Sequence, residues 1–258
     1  MKCIGGITGD IIGSIYEWNN IKTIEFQLFG NDVDFTDDSV LTLATMDAIT
    51  KEIPYGKNYY DFATKYTGRG YGGGFTSWLY NADMKSYNSW GNGSAMRVSP
   101  VGWAFNTLET VLHESLRSAQ VTHNHPEGIK GAQATASAIF LARTGKSKEY
   151  IKDYVENTFG YDLHRTCDEI RPTYEFRAGC QETVPEAIIS FIDSTDFESS
   201  IRLAISLGGD SDTLACITGS IAEAFYGDIP TNIVNDVLKI LPNELIDVIQ
   251  KFNEKLNY

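Results

Sequence analysis

Cysteine, basic side chains and long apolar runs are all scarce in this chain of 258 residues. Its cysteines are too few for a disulfide framework and lack the paired spacing of a zinc site. We therefore expect reduced thiols, as in a cytoplasmic protein, at the four positions Cys3, Cys167, Cys180 and Cys216.

Positive charge is also in short supply, since 21 Lys and Arg stand against 34 Asp and Glu, for a formal net charge of -13. This balance argues against a broad basic surface for duplex nucleic acid or an anionic membrane. No apolar run approaches the length of a membrane span, and Asp10 comes too early for a signal peptide. The sequence thus predicts a cytoplasmic protein that holds any anionic ligand locally, through metal ions and backbone amides.

Helical spacing of apolar residues dominates the chain, and strand-like alternation is hard to find. The length suits one large domain over residues 1–258, and the pattern makes that domain all-α. One helix face carries Leu108, Val111, Leu112, Leu116 and Ala119. Further helices are predicted over residues 4–18, 39–51, 58–66, 95–105, 129–143, 148–157, 184–193, 213–226, 231–240 and 244–256, with Pro126, Pro185, Pro230 and Pro242 at or near starts.

Two acidic clusters, each with a threonine, lie at predicted helix starts near opposite ends of the chain. Either cluster alone is explained as a helix N-cap, because Thr and Asp side chains accept hydrogen bonds from the first free amides. Crowded carboxylates raise one another's pKa unless a cation neutralises them. Jointly the clusters favour a shared site for Mg²⁺ or Mn²⁺, with the carboxylates of Asp37, Asp38, Asp210 and Asp212.

Glycines mark two places where the backbone is expected to approach another group closely. Gly5, Gly9 and Gly13 recur every fourth residue in the first predicted helix, a costly choice unless another backbone packs against that face. Gly208 and Gly209 precede the second acidic cluster, where they permit a sharp turn beside a ligand.

Residues 67–97 are rich in Gly, Asn, Ser and aromatic residues. The glycines expose backbone amides, and a helix beginning near Ser94 would turn its positive end towards a phosphate. The stretch has no Walker lysine pattern, which argues against a P-loop. Trp90 could stack a base, although an aromatic residue that fills core is an equal explanation.

Two histidines, His123 and His125, lie between two predicted helices. Their spacing could suit a transition metal, but no cysteine or third histidine is near them, which argues against zinc. A histidine at the end of a helix often only complements the helix dipole. A hydrogen-bonding role towards a ligand stays open.

Taken in order, these motifs resemble those of the ADP-ribosylglycohydrolase family, the dinitrogenase-reductase-activating-glycohydrolase-like enzymes. The resemblance implies an all-α orthogonal bundle whose cleft holds two magnesium or manganese ions and binds the ADP-ribose of a modified protein. The matching segments extend over essentially the whole chain: 9–17 (GDIIGSIYE), 35–39 (FTDDS), 91–97 (GNGSAMR), 122–123 (TH) and 208–213 (GGDSDT).

The resemblance also implies a role for each matching residue. Glu17 would gate or organise the metal site. The metal ligands would be Thr36, Asp37, Asp38, Asp210, Asp212 and Thr213. The ligand-binding residues would be Asn92, Gly93 and Ser94 along the diphosphate, Trp90 at the adenine and His123 at the distal ribose.

The segment Arg-Gly-Tyr-Gly at residues 69–72 resembles the branch of the family that cleaves O-linked serine-ADP-ribose. The arginine-specific branch has an acidic residue in this region that we do not find here. The resemblance therefore favours a serine linkage over an arginine linkage.

The expected reaction breaks the bond between the anomeric carbon of a ribose and an oxygen or nitrogen, through an oxocarbenium-like transition state. Two metals would hold the ribose hydroxyls and lower the pKa of the attacking water. The residues expected to carry catalysis are Glu17, Asp37 and Asp212, and the sequence leaves open which of them is the base.

Two other functions stay open. A module of the same fold could bind ADP-ribose without hydrolysing it, or a magnesium-dependent phosphohydrolase could use the acidic clusters on a small nucleotide. A purely structural scaffold would leave the two acidic helix starts and the Gly-Asn-Gly-Ser loop without a common purpose.

Overall fold

Helices are the regular secondary structure of the computed structural model, which describes residues 1–81 and 84–257. Within those ranges the only pairing of extended backbone is an isolated bridge between Gly91 and Gly179, so the predicted all-α class is confirmed. The fifteen helices among the described residues are α1 (Gly5–Gly13), α2 (Asp37–Lys51), α3 (Tyr55–Lys65), α4 (Gly73–Tyr80), α5 (Gly93–Met96), α6 (Ser99–Ala104), α7 (Leu108–Ala119), α8 (Pro126–Arg143), α9 (Lys148–Phe159), α10 (Cys167–Ile170), α11 (Cys180–Asp193), α12 (Phe197–Ser206), α13 (Ser211–Tyr226), α14 (Thr231–Ile240) and α15 (Asn243–Leu256). In the described part of the chain, none of them has both the length and the apolar character that crossing a membrane requires.

The antiparallel pair α1 and α13 forms the centre of the bundle. All nine residues of α1 are buried. A Cβ added at Gly9 would lie 2.0 Å from the carbonyl oxygen of Ala215, and one at Gly13 would lie 2.5 Å from Cα of Asp212. Glycine is therefore required on this face of α1, and the predicted close approach of a second backbone is confirmed, with α13 as the partner.

This packing places the C-terminal end of α1 against the first turn of α13. Helices α8, α11 and α12 pack around α13, and α2 packs against α1. The polar residues at the end of α1 and at the starts of α2 and α13 therefore meet on one side of the bundle.

Glu223, near the end of α13, closes the other end of α1. Its buried carboxylate accepts a hydrogen bond from the amide of Gly5 at 2.7 Å, and the amides of Cys3 and Ile4 also bond to it. The N-cap residue of α1 is Ile4, whose side chain cannot accept a hydrogen bond. The Glu223 carboxylate therefore takes the place of an N-cap side chain and satisfies these amides. Burial raises the pKa of Glu223 to about 7.

We expect Glu223→Gln to flatten the pH dependence of folding stability. The native pKa lies above the ordinary value of 4.5, so the native state binds the extra proton and stability falls as pH rises between 4.5 and about 7. The free energy of unfolding of the wild type relative to the variant should fall by about 1–3 kcal/mol between about pH 5 and about pH 8. Urea unfolding at both pH values measures this difference, and a constant difference would contradict the pKa assignment.

The predicted helix over residues 95–105 is wrong in one respect, since the structure divides it into α5 and α6. Pro100, at the second position of α6, lacks the amide that would bond to the carbonyl of Met96 in a continuous helix. That carbonyl instead accepts hydrogen bonds from Thr42 of α2 at 3.3 Å and Cys216 of α13 at 3.4 Å. The break therefore ties α5 to both neighbouring helices.

Other helices also differ from the prediction. The first helix ends at Gly13 instead of continuing to residue 18, and beyond it the amide of Tyr16 bonds to the carbonyl of Gly13 at 2.8 Å in a tighter turn. Helix α11 begins at Cys180, so Pro185 lies inside it instead of near its start. Helix α4 lies in the glycine-rich stretch, where glycines hide the apolar period.

Candidate metal centre and substrate cleft

A cleft of about 360 Å³ opens where the end of α1 meets the starts of α2, α5 and α13. It brings together segments from both ends of the chain, including both acidic clusters. Its lining consists of Glu17, Trp18, Asp37, Asp38, Leu41, Gly70, Gly72, Gly74, Phe75, Tyr87, Ser89, Gly91, Asn92, Gly93, Met96, Arg97, His123, Phe176, Ala178, Asp210, Asp212 and Thr213.

Two groups of three carboxylates lie in this region, and they share one member. Asp10, Asp38 and Asp212 form one group, and Glu17, Asp210 and Asp212 form the other. Within each group the carboxylate oxygens lie within 4.8 Å of one another. Asp212 belongs to both groups, so the structure brings the two acidic clusters to one place, as the sequence predicted.

The electrostatics of these groups suit a cation. Burial raises the pKa of Asp37, Asp38 and Asp212 well above the usual range, and the neighbouring carboxylates raise it further. Oδ1 of Asp38 is buried without a hydrogen-bond partner in the described ranges, while Oδ2 accepts a bond from Thr213 at 3.3 Å. An unsatisfied carboxylate oxygen beside other buried carboxylates fits a divalent metal ion.

Asp10 organises the first acidic cluster and was not among the predicted site residues. Its fully buried carboxylate accepts bonds from the amide and hydroxyl of Thr36 at 3.0 and 2.6 Å and from the amide of Ser39 at 3.0 Å. Thr36 also caps α2, since its hydroxyl accepts the amide of Asp38 at 3.3 Å. The sequence feature that could have identified Asp10 is a lone aspartate among the apolar residues of the first predicted helix, directly before Ile11.

A tight turn holds the second acidic cluster. Gly208 and Gly209 have φ of 75° and 72°, values that favour glycine. The side chain of Asn20 clamps Gly209 by accepting its amide at 2.7 Å and donating to its carbonyl at 2.9 Å. Asn92 then donates to Oδ2 of Asp210 at 2.7 Å, which fixes that carboxylate at the start of α13.

Glu17 stands at the edge of the cleft beside an aromatic pair. Burial and the charge of Asp210 raise its pKa to about 7, against a hydrogen bond from the Trp18 side chain. The Trp18 ring stacks on Phe176 with centroids 5.5 Å apart. Both aromatic residues stay exposed, at 77% and 43%. Sequence reasoning missed this pair because nothing in the chain indicates that two such distant residues meet.

Of the residues expected to bind the ligand, Asn92, Gly93 and His123 line the cleft. Ser94 does not, since its buried hydroxyl donates to the carbonyl of Gly128 at 2.7 Å. A role for Ser94 along a diphosphate would therefore have to use its backbone. The helix at this place, α5, is a single turn of four residues.

Trp90 lies outside the cleft, on an adjoining shallow groove, and is 56% exposed. The groove and the cleft share five lining residues: Tyr87, Ser89, Gly91, Phe176 and Ala178. The Trp90 ring meets His125 edge-on at 5.7 Å, and His125 caps α8 by accepting the amide of Glu127. The alternative that Trp90 fills core is wrong, and its predicted place at the adenine stays a prediction.

The segment Arg-Gly-Tyr-Gly, residues 69–72, lies beside Asp37 and forms one wall of the cleft. The Asp37 amide donates to the carbonyl of Arg69 at 2.8 Å, and the Arg69 guanidinium lies 3.7 Å from the centroid of the Phe35 ring. Gly70 has a φ of 95°, and a Cβ there would be 3.2 Å from Oδ1 of Asp37. Glycine at this position keeps the wall clear of the carboxylate.

The family model that matches this chain is that of ADP-ribosylglycohydrolase, over residues 3–257. The chain is similar to ADP-ribosylhydrolase ARH3 of Mus musculus, with 26% identity over 306 residues that cover 86% of this chain and 82% of that protein. ADP-ribosylarginine hydrolase Tri1 of Pseudomonas putida is 28% identical over 148 residues, covering 53% of this chain and 38% of that protein.

A solved structure, an ADP-ribosylglycohydrolase-related protein complex, shares the fold. Its TM-score is 0.72 at 24% identity, and the match covers 97% of this chain and 95% of that one. The family match spans nearly the whole chain and includes every residue of both carboxylate groups. The chain therefore belongs to the ADP-ribosylglycohydrolase family and is an enzyme that hydrolyses a glycosidic bond.

Proposed function

We propose that this protein is a magnesium-dependent ADP-ribosylhydrolase that releases ADP-ribose from a modified protein. The observation that carries the proposal is that two groups of three carboxylates, all buried except the half-buried Glu17, meet at Asp212 beside a cleft large enough for a ligand. Similarity to ADP-ribosylhydrolases over most of the chain supports the same reaction.

The donor set consists of carboxylate and hydroxyl oxygens, which Mg²⁺ and Mn²⁺ prefer. Two such ions would supply the positive charge that polarises ribose oxygens and lowers the pKa of a water. The residues that would hold them are Thr36, Asp37, Asp38, Asp210, Asp212 and Thr213.

Side chains around the proposed metal ligands hold the carboxylates in place, and one carboxylate is positioned for proton transfer. Asn92 fixes Asp210, and Asp10 fixes the turn that presents Asp37 and Asp38. Glu17 is the candidate general base, because its half-buried carboxylate reaches the cleft beside that of Asp210.

We propose O-linked serine over N-linked arginine as the linkage. A guanidinium leaving group is best recognised by a carboxylate, which it can bond with two parallel hydrogen bonds. The wall over residues 66–74 has no acidic residue, and Gly70 presents no side chain towards Asp37. The exposed pair Trp18 and Phe176 adds an apolar surface beside Glu17 at the mouth of the cleft.

The test is release of ADP-ribose from serine-linked and arginine-linked mono-ADP-ribosylated peptides, side by side with Mg²⁺ and with EDTA. We expect release from the serine-linked peptide, lost in EDTA. Release from the arginine-linked peptide alone would overturn the linkage but keep the activity. Tight binding of ADP-ribose without release from either peptide would contradict the hydrolase and indicate a binding module. AMP or phosphate as the product would indicate a phosphohydrolase.

A further inference from the structure

A chain of three polar side chains leads from the interior of the protein to the cleft. Arg97 donates from Nη2 to the hydroxyl of Thr122 at 2.9 Å and to the carbonyl of Ser118 at 3.1 Å. The Thr122 hydroxyl lies 2.7 Å from Nδ1 of His123. The other ring nitrogen, Nε2, faces Gly93, where an added Cβ would be 3.2 Å away.

The direction of each hydrogen bond in this chain follows from the chemistry of its first member. A guanidinium only donates, so Thr122 must accept from Arg97. The Thr122 hydroxyl has one proton and is fully buried, and Nδ1 of His123 is the acceptor within reach in the described part of the chain. If Nδ1 carried the ring proton instead, the hydroxyl proton would be buried without a hydrogen-bond partner, which is unfavourable.

We propose that Arg97 and Thr122 are positioning residues that hold His123 as a neutral imidazole with its proton on Nε2. In this tautomer His123 donates a hydrogen bond into the cleft and has no free lone pair there for a metal ion. The ligand atom it recognises is therefore an acceptor oxygen, of a phosphate or a sugar hydroxyl. That this oxygen belongs to ADP-ribose rests on the proposed function.

The surroundings of the three residues support this arrangement. Arg97 is completely buried and its guanidinium lies 4.2 Å from the centroid of the Tyr59 ring, so it has little freedom to turn away from Thr122. His123 is 5% exposed. Burial and the nearby charge of Arg97 lower the pKa of His123 well below its ordinary value, which keeps the ring neutral.

The first measurement is the long-range ¹H–¹⁵N correlation spectrum of the histidine rings in the free protein at neutral pH. The chain has four histidines, and the signals of His123 are identified as those missing from the spectrum of the His123→Asn variant. We expect the His123 signals of an unprotonated Nδ1 and a protonated Nε2. A protonated Nδ1, or a doubly protonated ring, would overturn the proposal, and this result does not depend on what the cleft binds.

The second measurement is ADP-ribose binding by calorimetry with a matched pair of variants. Thr122→Val removes the hydroxyl at nearly constant shape and should weaken binding about tenfold, whereas Thr122→Ser should restore it. In His123→Ala, adding Thr122→Val should cost no more affinity, because the two residues act as one unit. Additive losses would mean that Thr122 acts only through general structure, and would overturn the relay. Absence of binding by the wild type would count against the proposed ligand, while the ring spectrum still decides the relay.

Discussion

Asp212→Asn is expected to lower the rate of metal-dependent hydrolysis by about 10³-fold or more while leaving the helical circular dichroism spectrum nearly unchanged. Asp212 belongs to both carboxylate groups, so one substitution weakens the hold on both cations. A metal ion contributes several kcal/mol of transition-state stabilisation, and each 1.36 kcal/mol is about a factor of ten in rate. Asp37→Asn should behave in the same way. The measurement is ADP-ribose release with Mg²⁺, alongside the spectrum.

Thermal unfolding distinguishes loss of the metal from loss of the fold. Ionised Asp212 is costly when buried beside other carboxylates, so without metal the variant should melt at the wild-type temperature or above it. Mg²⁺ should raise the melting temperature of the wild type by binding the native state, and should do much less for the variant. Asp236→Asn, in α14 and paired with Lys239, is a matched control that should change neither rate nor melting. Full activity in both Asp212→Asn and Asp37→Asn would contradict the assignment of these residues as metal ligands.

Gly9→Ala is expected to destabilise the protein by about 3 kcal/mol or more, although it adds a single methyl group. That methyl would lie 2.0 Å from a backbone oxygen of α13, and neither central helix can yield without disturbing the rest of the bundle. The next residue, Asp10, would move with α1 and lose its bonds to Thr36 and Ser39. Urea unfolding should therefore show a lower stability, and Mg²⁺ should no longer raise the melting temperature.

Gly73→Ala is the matched control for this substitution. Gly73 begins α4, and a Cβ there meets nothing within 4 Å. Alanine at such a position should leave stability unchanged or raise it by about 0.4–1 kcal/mol, since it restricts the unfolded chain. Equal stability of Gly9→Ala and the wild type would contradict the close contact between α1 and α13.

Local patterns sufficed for much of the fold. The apolar spacing that predicted a helix over residues 148–157 corresponds to α9, and the one over residues 231–240 to α14. The glycine repeat in α1 predicted a close backbone neighbour, because glycine lowers the stability of a helix and a close contact is the compensating reason for its presence. The sequence did not say which helix the neighbour was.

Other features depended on contacts that no local pattern reveals. Helix α4 was missed because its glycines obscure the apolar period, and it is stabilised instead by rings such as Phe75 and Trp78, which pack 5.3 Å apart in the core. Ser94 was expected to face a phosphate, but its hydroxyl bonds to Gly128 of α8. Trp18 and Phe176 come together only through the folding of two distant loops.

The sequence by itself determined the all-α class, the two acidic helix starts and the family resemblance, because each resides in a short run of residues with its own physical signature. Only the tertiary structure decided that Asp212 joins two carboxylate groups, that Asp10 holds the first of them, and that Thr122 lies between Arg97 and His123. Those relations are distances between side chains far apart in the chain. They are set by how α1, α2 and α13 pack, and packing is a property of the whole core.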